Sequence, residues 1–518
     1  MMWAMALAML AQGSTYPIGG RVVHALTGAP VAGVRMTVSV SGTGKAVARA
    51  VTGGDGRFRM EGFAAGKYSL EAERNGYVMQ HYGQRVLYAP YVSAVVAGEG
   101  QETGELTFRL IPSAAITGVV TDERNEPLPG MDVTAYLRRG RGEHQKVWAV
   151  SRAKTNDLGQ YRLHSLTRGS YLVVVSGRPW QGQQATLDAS GAAGGYAATF
   201  HPGATDVGRA GWVQVEAGAE ARADVRMTVG KAVRVEGTLK GGQPAGRVWA
   251  YLLAPLGAGA TMAVGESVYL YGGRFRMREV PPGRYQLLVV QGGRGVVAGK
   301  MVEVEADPTV VELDEEPGAK VKVSAVVRGR KPGSEVMVAL GQNEARFGAR
   351  RVLDEKGTAD FGVMPGGRYE LMLGGDVALV SMASGSARVV GESVEIPESG
   401  EVELKLEVEV DAGAGDLLGR VYREGKAMAG VKVVLIPKRQ DATLAAYRFD
   451  QSDSDGSFRW RGVAAGEYLM FGFEEGEAWD YMDEGVMRGL KEQGQAVEVK
   501  AGKREEVRLE VRGRVTNQ

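Results

Sequence analysis

A short phrase written five times limits what this chain can fold into. A glycine is followed ten residues later by a second glycine, and two residues after that by a tyrosine. The copies are Gly56, Gly66, Tyr68; Gly159, Gly169, Tyr171; Gly273, Gly283, Tyr285; Gly357, Gly367, Tyr369; and Gly456, Gly466, Tyr468. Around the first glycine they read Asp55-Gly56-Arg57-Phe58, Asp157-Leu158-Gly159-Gln160-Tyr161, Gly273-Arg274-Phe275, Asp354-Glu355-Lys356-Gly357 and Asp455-Gly456-Ser457-Phe458. An Asp-Gly step supplies the positive φ of a tight hairpin at no steric cost. The aromatic two residues on then returns to one face of a strand, because side chains alternate with period 2. The second glycine makes the next turn, and its tyrosine begins an apolar strand such as Tyr171-Leu172-Val173-Val174-Val175.

A second phrase precedes each copy, a turn leading into an alternating strand. Pro30-Val31-Ala32-Gly33 precedes Val34–Val38, Pro127-Leu128-Pro129-Gly130 precedes Met131–Ala135, and Gln243-Pro244-Ala245-Gly246 precedes Arg247–Tyr251. Lys331-Pro332-Gly333 and Ala429-Gly430 do the same for the last two copies. The segment Glu401–Val410 is apolar on one face and charged on the other, the pattern of a half-buried closing strand. Glycine, 76 of 518 residues or about 15 %, is roughly twice the usual share, as many tight turns demand. The expected fold is all-β, a tandem array of about five Ig-like or transthyretin-like β-sandwiches over residues 16–113, 114–229, 230–316, 317–412 and 413–518. Short linkers predict units in a row with limited hinge motion and no closed ring. The single helix expected is Asp483–Leu490, where Met482, Val486 and Leu490 share a face.

These phrases resemble the carboxypeptidase regulatory-like domains, transthyretin-like sandwiches close to the Cna protein B-type family. The resemblance rests on strand–Pro-x-x-Gly–strand, Asp-x-Gly-x-Phe and Pro-Gly-x-Tyr. It is strongest in the first, second and fifth copies and weakest in the fourth, where Ala359 stands in place of the aromatic. The segments Tyr82-Gly83-Gln84-Arg85 and His201–Asp206 are similar to those of exported multi-repeat proteins of soil bacteria. The resemblance implies the fold and export. It implies no peptidase activity, since in that family such a domain is an accessory to a separate catalytic one.

Residues Met2–Ala11 are apolar throughout and too few to span a bilayer. They read as the apolar part of a secretory signal over residues 1–15, with cleavage after Ala11. No Lys or Arg precedes them, so an upstream start or a buried first strand is the alternative. No later run reaches the length of a membrane span, and no transmembrane segment is expected in the mature chain. With 62 basic against 61 acidic residues there is no excess of positive charge for a nucleic acid, so none is expected as a partner. The absence of cysteine removes disulfides, thiolate metal sites and thiol nucleophiles together.

Chemistry-bearing patterns are scarce. His24, His81, His144, His164 and His201 fall in no metal-binding spacing, no Gly-x-Ser-x-Gly occurs, and Gly42-Thr43-Gly44-Lys45 lacks the rest of a phosphate loop. The acids of Asp450-Gln451-Ser452-Asp453-Ser454-Asp455-Gly456 could face calcium, but Gly462 stands where an EF-hand needs its bidentate Glu, and a solvated turn is the simpler reading. No catalytic residue, metal or cofactor is expected. Binding is expected of loop aromatics, whose rings can stack on sugars: Trp180, Tyr196 and Trp212 in the second unit, with Trp479 and Tyr481 in the fifth. The sequence thus predicts an exported, non-catalytic protein of the periplasm, cell surface or medium. Its role would be structural or binding, with polysaccharide or a cell-envelope protein as partner. The alternatives are a carbohydrate-binding protein for polysaccharide uptake or degradation, and a hydrolase with a site between units.

Overall fold

The computed structural model describes residues 14–84, 92–139, 146–177, 194–231, 233–241, 246–257, 260–264, 267–328, 336–342, 347–374, 377–390, 393–410, 415–438, 447–463, 465–473 and 494–511. Strand pairing falls into five groups that do not exchange strands. Each has two main sheets packed face to face, the expected all-β architecture, and the second unit adds a two-stranded pair of Gly194–Tyr196 with Val229–Lys231. The signal-like segment and the helix expected at Asp483–Leu490 lie outside the described residues. Among the described residues helix is confined to one 3₁₀ turn, Val207–Arg209, and no helix is long and apolar enough to cross a membrane.

The first sheet of every unit is built alike. An opening strand pairs antiparallel with the strand that carries the glycine phrase, and parallel with a closing strand. In the first unit these are Tyr16–His24, Arg57–Phe63 and Leu106–Leu110. In the fourth they are Gly318–Arg328, Thr358–Pro365 and Glu401–Val410, the alternating segment expected to close that unit. The second sheet pairs the strand after the upstream turn with the tyrosine strand, as Arg35–Val40 with Gly66–Glu73. Alternation places the apolar side chains of both sheets inward. Val22, Met36, Val38, Leu70, Val95 and Leu110 are buried together in the first unit.

The first glycine of the phrase has the positive φ its turn requires: 75° at Gly56, 68° at Gly159, 76° at Gly273 and Gly357, and 80° at Gly456. Opposite the aromatic of the phrase, across the sheet, stands a second glycine on the opening strand. The register pairs Gly20 with Phe58, Gly118 with Tyr161, Gly237 with Phe275, and Gly419 with Phe458. In the third and fifth units the ring lies directly over that glycine: a Cβ on Gly237 would fall 1.9 Å from the Phe275 ring, and one on Gly419 2.2 Å from that of Phe458. The fourth unit exchanges the volumes. Val323 replaces the glycine and pairs with Ala359, and the aromatic moves two residues along the same face to Phe361, which is 1 % exposed. The unit that departs from the sequence phrase therefore fills the same space with its bulk on the other strand.

The tyrosine is there for its hydroxyl as well as its ring. In the first four units the Tyr O–H turns back to a carbonyl four residues upstream: Tyr68 to Ala64 at 2.9 Å, Tyr171 to Thr167 at 2.6 Å, Tyr285 to Pro281 at 3.0 Å, Tyr369 to Pro365 at 3.1 Å. The ring fills the core while the hydroxyl satisfies a turn carbonyl that would otherwise lose its water. Tyr369→Phe keeps the ring and orphans the Pro365 carbonyl. We expect the fourth unit to lose about 1–2 kcal/mol, read as a lower urea midpoint with unchanged slope.

The units do not lie in a simple row. Tyr136, Leu172, Val174 and Phe200 on the outer face of the second unit join Val248, Leu252, Leu256 and Leu287 of the third in one apolar cluster. Arg294 of the third unit donates from Nε to the Val363 carbonyl of the fourth at 2.7 Å. The fifth unit returns to the first, against the expectation of an open array. Linker length limits the path between neighbours and says nothing about complementary surfaces on units far apart in the chain.

Candidate functional site

The junction of the first and fifth units starts from a turn that the repeat has altered. Ahead of the phrase glycine, a hydroxyl fastens the turn to the strand beside it. Thr52 Oγ1 donates to the Val31 carbonyl (2.8 Å) and accepts from Val34 N (2.9 Å). Thr155 does the same with Leu128 (2.6 Å) and Met131 (2.9 Å), and Ser452 with Met428 (2.7 Å) and Val431 (2.9 Å). The next residue caps the turn in the second and fourth units. Asn156 Oδ1 accepts from Leu158 N and Gln160 N, and Asp354 Oδ1 from Lys356 N and Thr358 N. In the fifth unit Asp455 takes over that duty, accepting from Ser457 N at 2.9 Å and pairing with Arg420 at 3.1 Å. Asp453, at the position of Asn156 and Asp354, is released from it and faces outward.

What it meets is an edge of the first unit. The short strand Val95–Ala97 pairs on one side with Gly66–Tyr68 and would otherwise leave its other side bare. The turn of the fifth unit covers that side group by group. Asp453 Oδ1 accepts from Ala94 N at 2.7 Å, Ser454 N donates to the Ala94 carbonyl at 2.9 Å, and Ser454 Oγ accepts from Val96 N at 2.8 Å. Ser93 Oγ donates to the Ser452 carbonyl at 2.8 Å, and Gln451 Nε2 donates to the Gly83 carbonyl. Lys67 pairs with Asp453 Oδ2 and also reaches Ser457 Oγ at 3.3 Å. The Asp453 side chain is 11 % exposed, and Ser93 and Ser452 are fully buried.

Burial pushes the Asp453 carboxyl up, opposed by the Lys67 ammonium and the Ala94 N–H. Half-buried Asp450, one strand position upstream of Gln451, is pushed up to about 6 by burial, although Gln451 N and Arg459 N donate to it at 2.8 and 3.1 Å. Burial acts the same way on Asp455. There the hydrogen bonds from Ser457 and the Arg420 charge prevail and hold the carboxyl below the usual range. The three acids that could have faced an ion therefore serve three separate purposes, and both oxygens of Asp453 are taken by the first unit. Among the described residues no group of His, Asp and Glu is arranged to hold a metal.

The sequence-selected aromatics fare differently. Tyr196, expected to bind a ligand, is 4 % exposed and packs with Leu163, Tyr171 and Val213 in the core of the second unit, so its ring is closed to a sugar. Its segment reads as a loop because Gly and Ala carry no period, yet residues 196–200 are buried without a break. Trp212 is half-buried against the cluster that joins the second and third units, with the Arg138 guanidinium 4.3 Å from its ring centre. Trp180, Trp479 and Tyr481 lie outside the described residues. A groove of about 480 Å³ in the second unit is lined by Lys154, Arg162 and Arg222, which pair with Asp132, Glu220 and Asp224 respectively.

With this geometry in view, comparison with known families is decisive for part of the chain. The family model of the carboxypeptidase regulatory-like domain matches residues 17–110 and 115–239. The first two units are carboxypeptidase regulatory-like domains. The second match runs past its unit, since Val233–Leu239 pairs with Arg274–Val280 and Thr309–Leu313 and opens the third. No curated protein sequence matches the chain. Among solved structures, the Bacillus anthracis TIE protein is 13 % identical, with 76 % of this chain and 74 % of that one covered, at a TM-score of 0.17. A Streptococcal ancillary pilin is 14 % identical over 59 % of this chain and all of its own, at 0.21. Two B repeat units of the collagen binding protein of Staphylococcus aureus are 11 % identical over 76 % of this chain and all of their own, at 0.14. Scores this low speak to no shared function.

Proposed function

We propose that this chain is a non-catalytic structural or binding protein that works outside the cytoplasm. Its five sandwich units, bounded near residues 113, 229, 316 and 412, hold surfaces at fixed spacing for a cell-envelope partner. The observation that carries the reading is how the fold employs its buried polar groups. At the junction the buried Asp453 carboxylate and Ser93 hydroxyl, with the Ser452 carbonyl, join one unit to another. Regulatory-like domains in the first two units agree with an accessory role. The test has two arms. A reporter active only after export, fused behind the full chain, should be active when expression begins at Met1. The purified chain should co-sediment with envelopes from its source cells. A silent reporter would overturn the location, and a chain left in the supernatant would overturn the envelope partner.

A further inference from the structure

The two halves of the junction are different surfaces. One, on the first unit, consists of Lys67, Gly83 and the edge from Ser93 to Val96; the other, on the fifth, is the turn Gln451–Ser454 with Ser457. A joint between unlike patches is heterologous. A chain whose ends are apart therefore presents both halves, and each fits the opposite half of a second copy. We infer that this junction is exchangeable, and that the partner its two faces fit when parted is another copy of this chain, joined last unit to first.

Three observations carry the exchange. The charges are complementary across the joint, Lys67 on one side and Asp453 on the other, so like ends repel and unlike ends attract. The groups that tie the joint are hydrogen-bonding ones that water can serve equally well, and the apolar clusters of the two units share no residue. Three whole units separate the halves in sequence, so both can leave and rejoin without disturbing either core. In one molecule the ends see each other at an effective concentration on the order of millimolar, which keeps a dilute chain closed on itself. Exchange prevails where closure within one chain is blocked, or where copies are crowded to a similar concentration.

Charge reversal separates the alternatives. Lys67→Glu sets two acids against each other within one chain, and Asp453→Lys sets two lysines. Each variant alone should remain monomeric by light scattering and show a larger radius of gyration than the parent. Mixed in equal amounts, the unaltered fifth unit of the first variant meets the unaltered first unit of the second, while the two altered faces are again opposite in charge. The mixture should therefore form a species of twice the mass, which neither variant forms alone. Radii equal to the parent's would show that these groups do not hold the ends together, and would overturn the proposal. Expanded variants that stay monomeric when mixed would overturn it too, leaving the junction strictly internal. Should Asp453→Lys fail to fold, Asp453→Ala takes its place, since its first unit is still the native partner.

Discussion

Gly237→Val is expected to destabilise the third unit by about 3 kcal/mol, the upper end of what overpacking costs, because the new side chain enters the space of the Phe275 ring. Phe275→Ala alone should cost about 3–5 kcal/mol, through lost burial and the cavity left behind. The two together should cost markedly less than their sum, with a favourable coupling of roughly 2–3 kcal/mol. The fourth unit is the precedent, for Val323 and Ala359 occupy the same register pair with the bulk reversed. Recovery should be incomplete, since the fourth unit also places Phe361 on that face where the third has Met277. Local hydrogen exchange over Gly283–Gln291 reads the third unit without requiring the whole chain to unfold as one. Additive losses would mean that the glycine and the aromatic do not share one volume.

The second large effect depends on pH. Asp450 binds its proton more tightly in the folded unit, at about 6, than in the unfolded chain. The folded state therefore holds more protons between roughly pH 4 and 6, and its stability falls as pH rises through that window. The carboxyl contributes no penalty below the window and its full penalty above it. Asp450→Asn removes the titration and keeps one of the two acceptors now serving Gln451 N and Arg459 N. Between pH 4 and pH 7 the variant should gain on the parent by about 2 kcal/mol, the shift being discounted for residual solvent. Comparing variant with parent at each pH in the urea midpoint of the fifth unit cancels the opposite contributions of Asp455 and other carboxyls. A difference that does not change with pH would place the Asp450 carboxyl in water.

The repeated architecture was legible because its determinants are local. Turn glycines, alternating strands and the tyrosine two residues past the second glycine act within one unit, and each leaves a fixed spacing. The glycine on the opening strand was visible as a residue, but its purpose depends on cross-strand register, which appears only when Gly237 is seen beside Phe275. Ala359 read as a weakness for the same reason, since its compensation, Val323, lies 36 residues upstream on another strand. Tyr196 was misplaced because a short buried run of small residues carries no period. The junction was least legible of all. Lys67 and Asp453 are 386 residues apart, and only the return of the last unit brings them together. One clue was present: the fifth turn holds an acid at both 453 and 455 where one suffices to cap it, and the spare acid is the one that reaches across.

The order of synthesis gives the junction a timetable. Ala94 leaves the ribosome 359 residues before the carboxylate that will meet its N–H. At about 5–20 residues per second, that is roughly 20–70 s during which the first unit is complete in its core and bare along one side. A newborn chain must pass this interval with an open strand on display, beside other newborn chains in the same condition. Its last unit is thus also the first one's protection, and it arrives late.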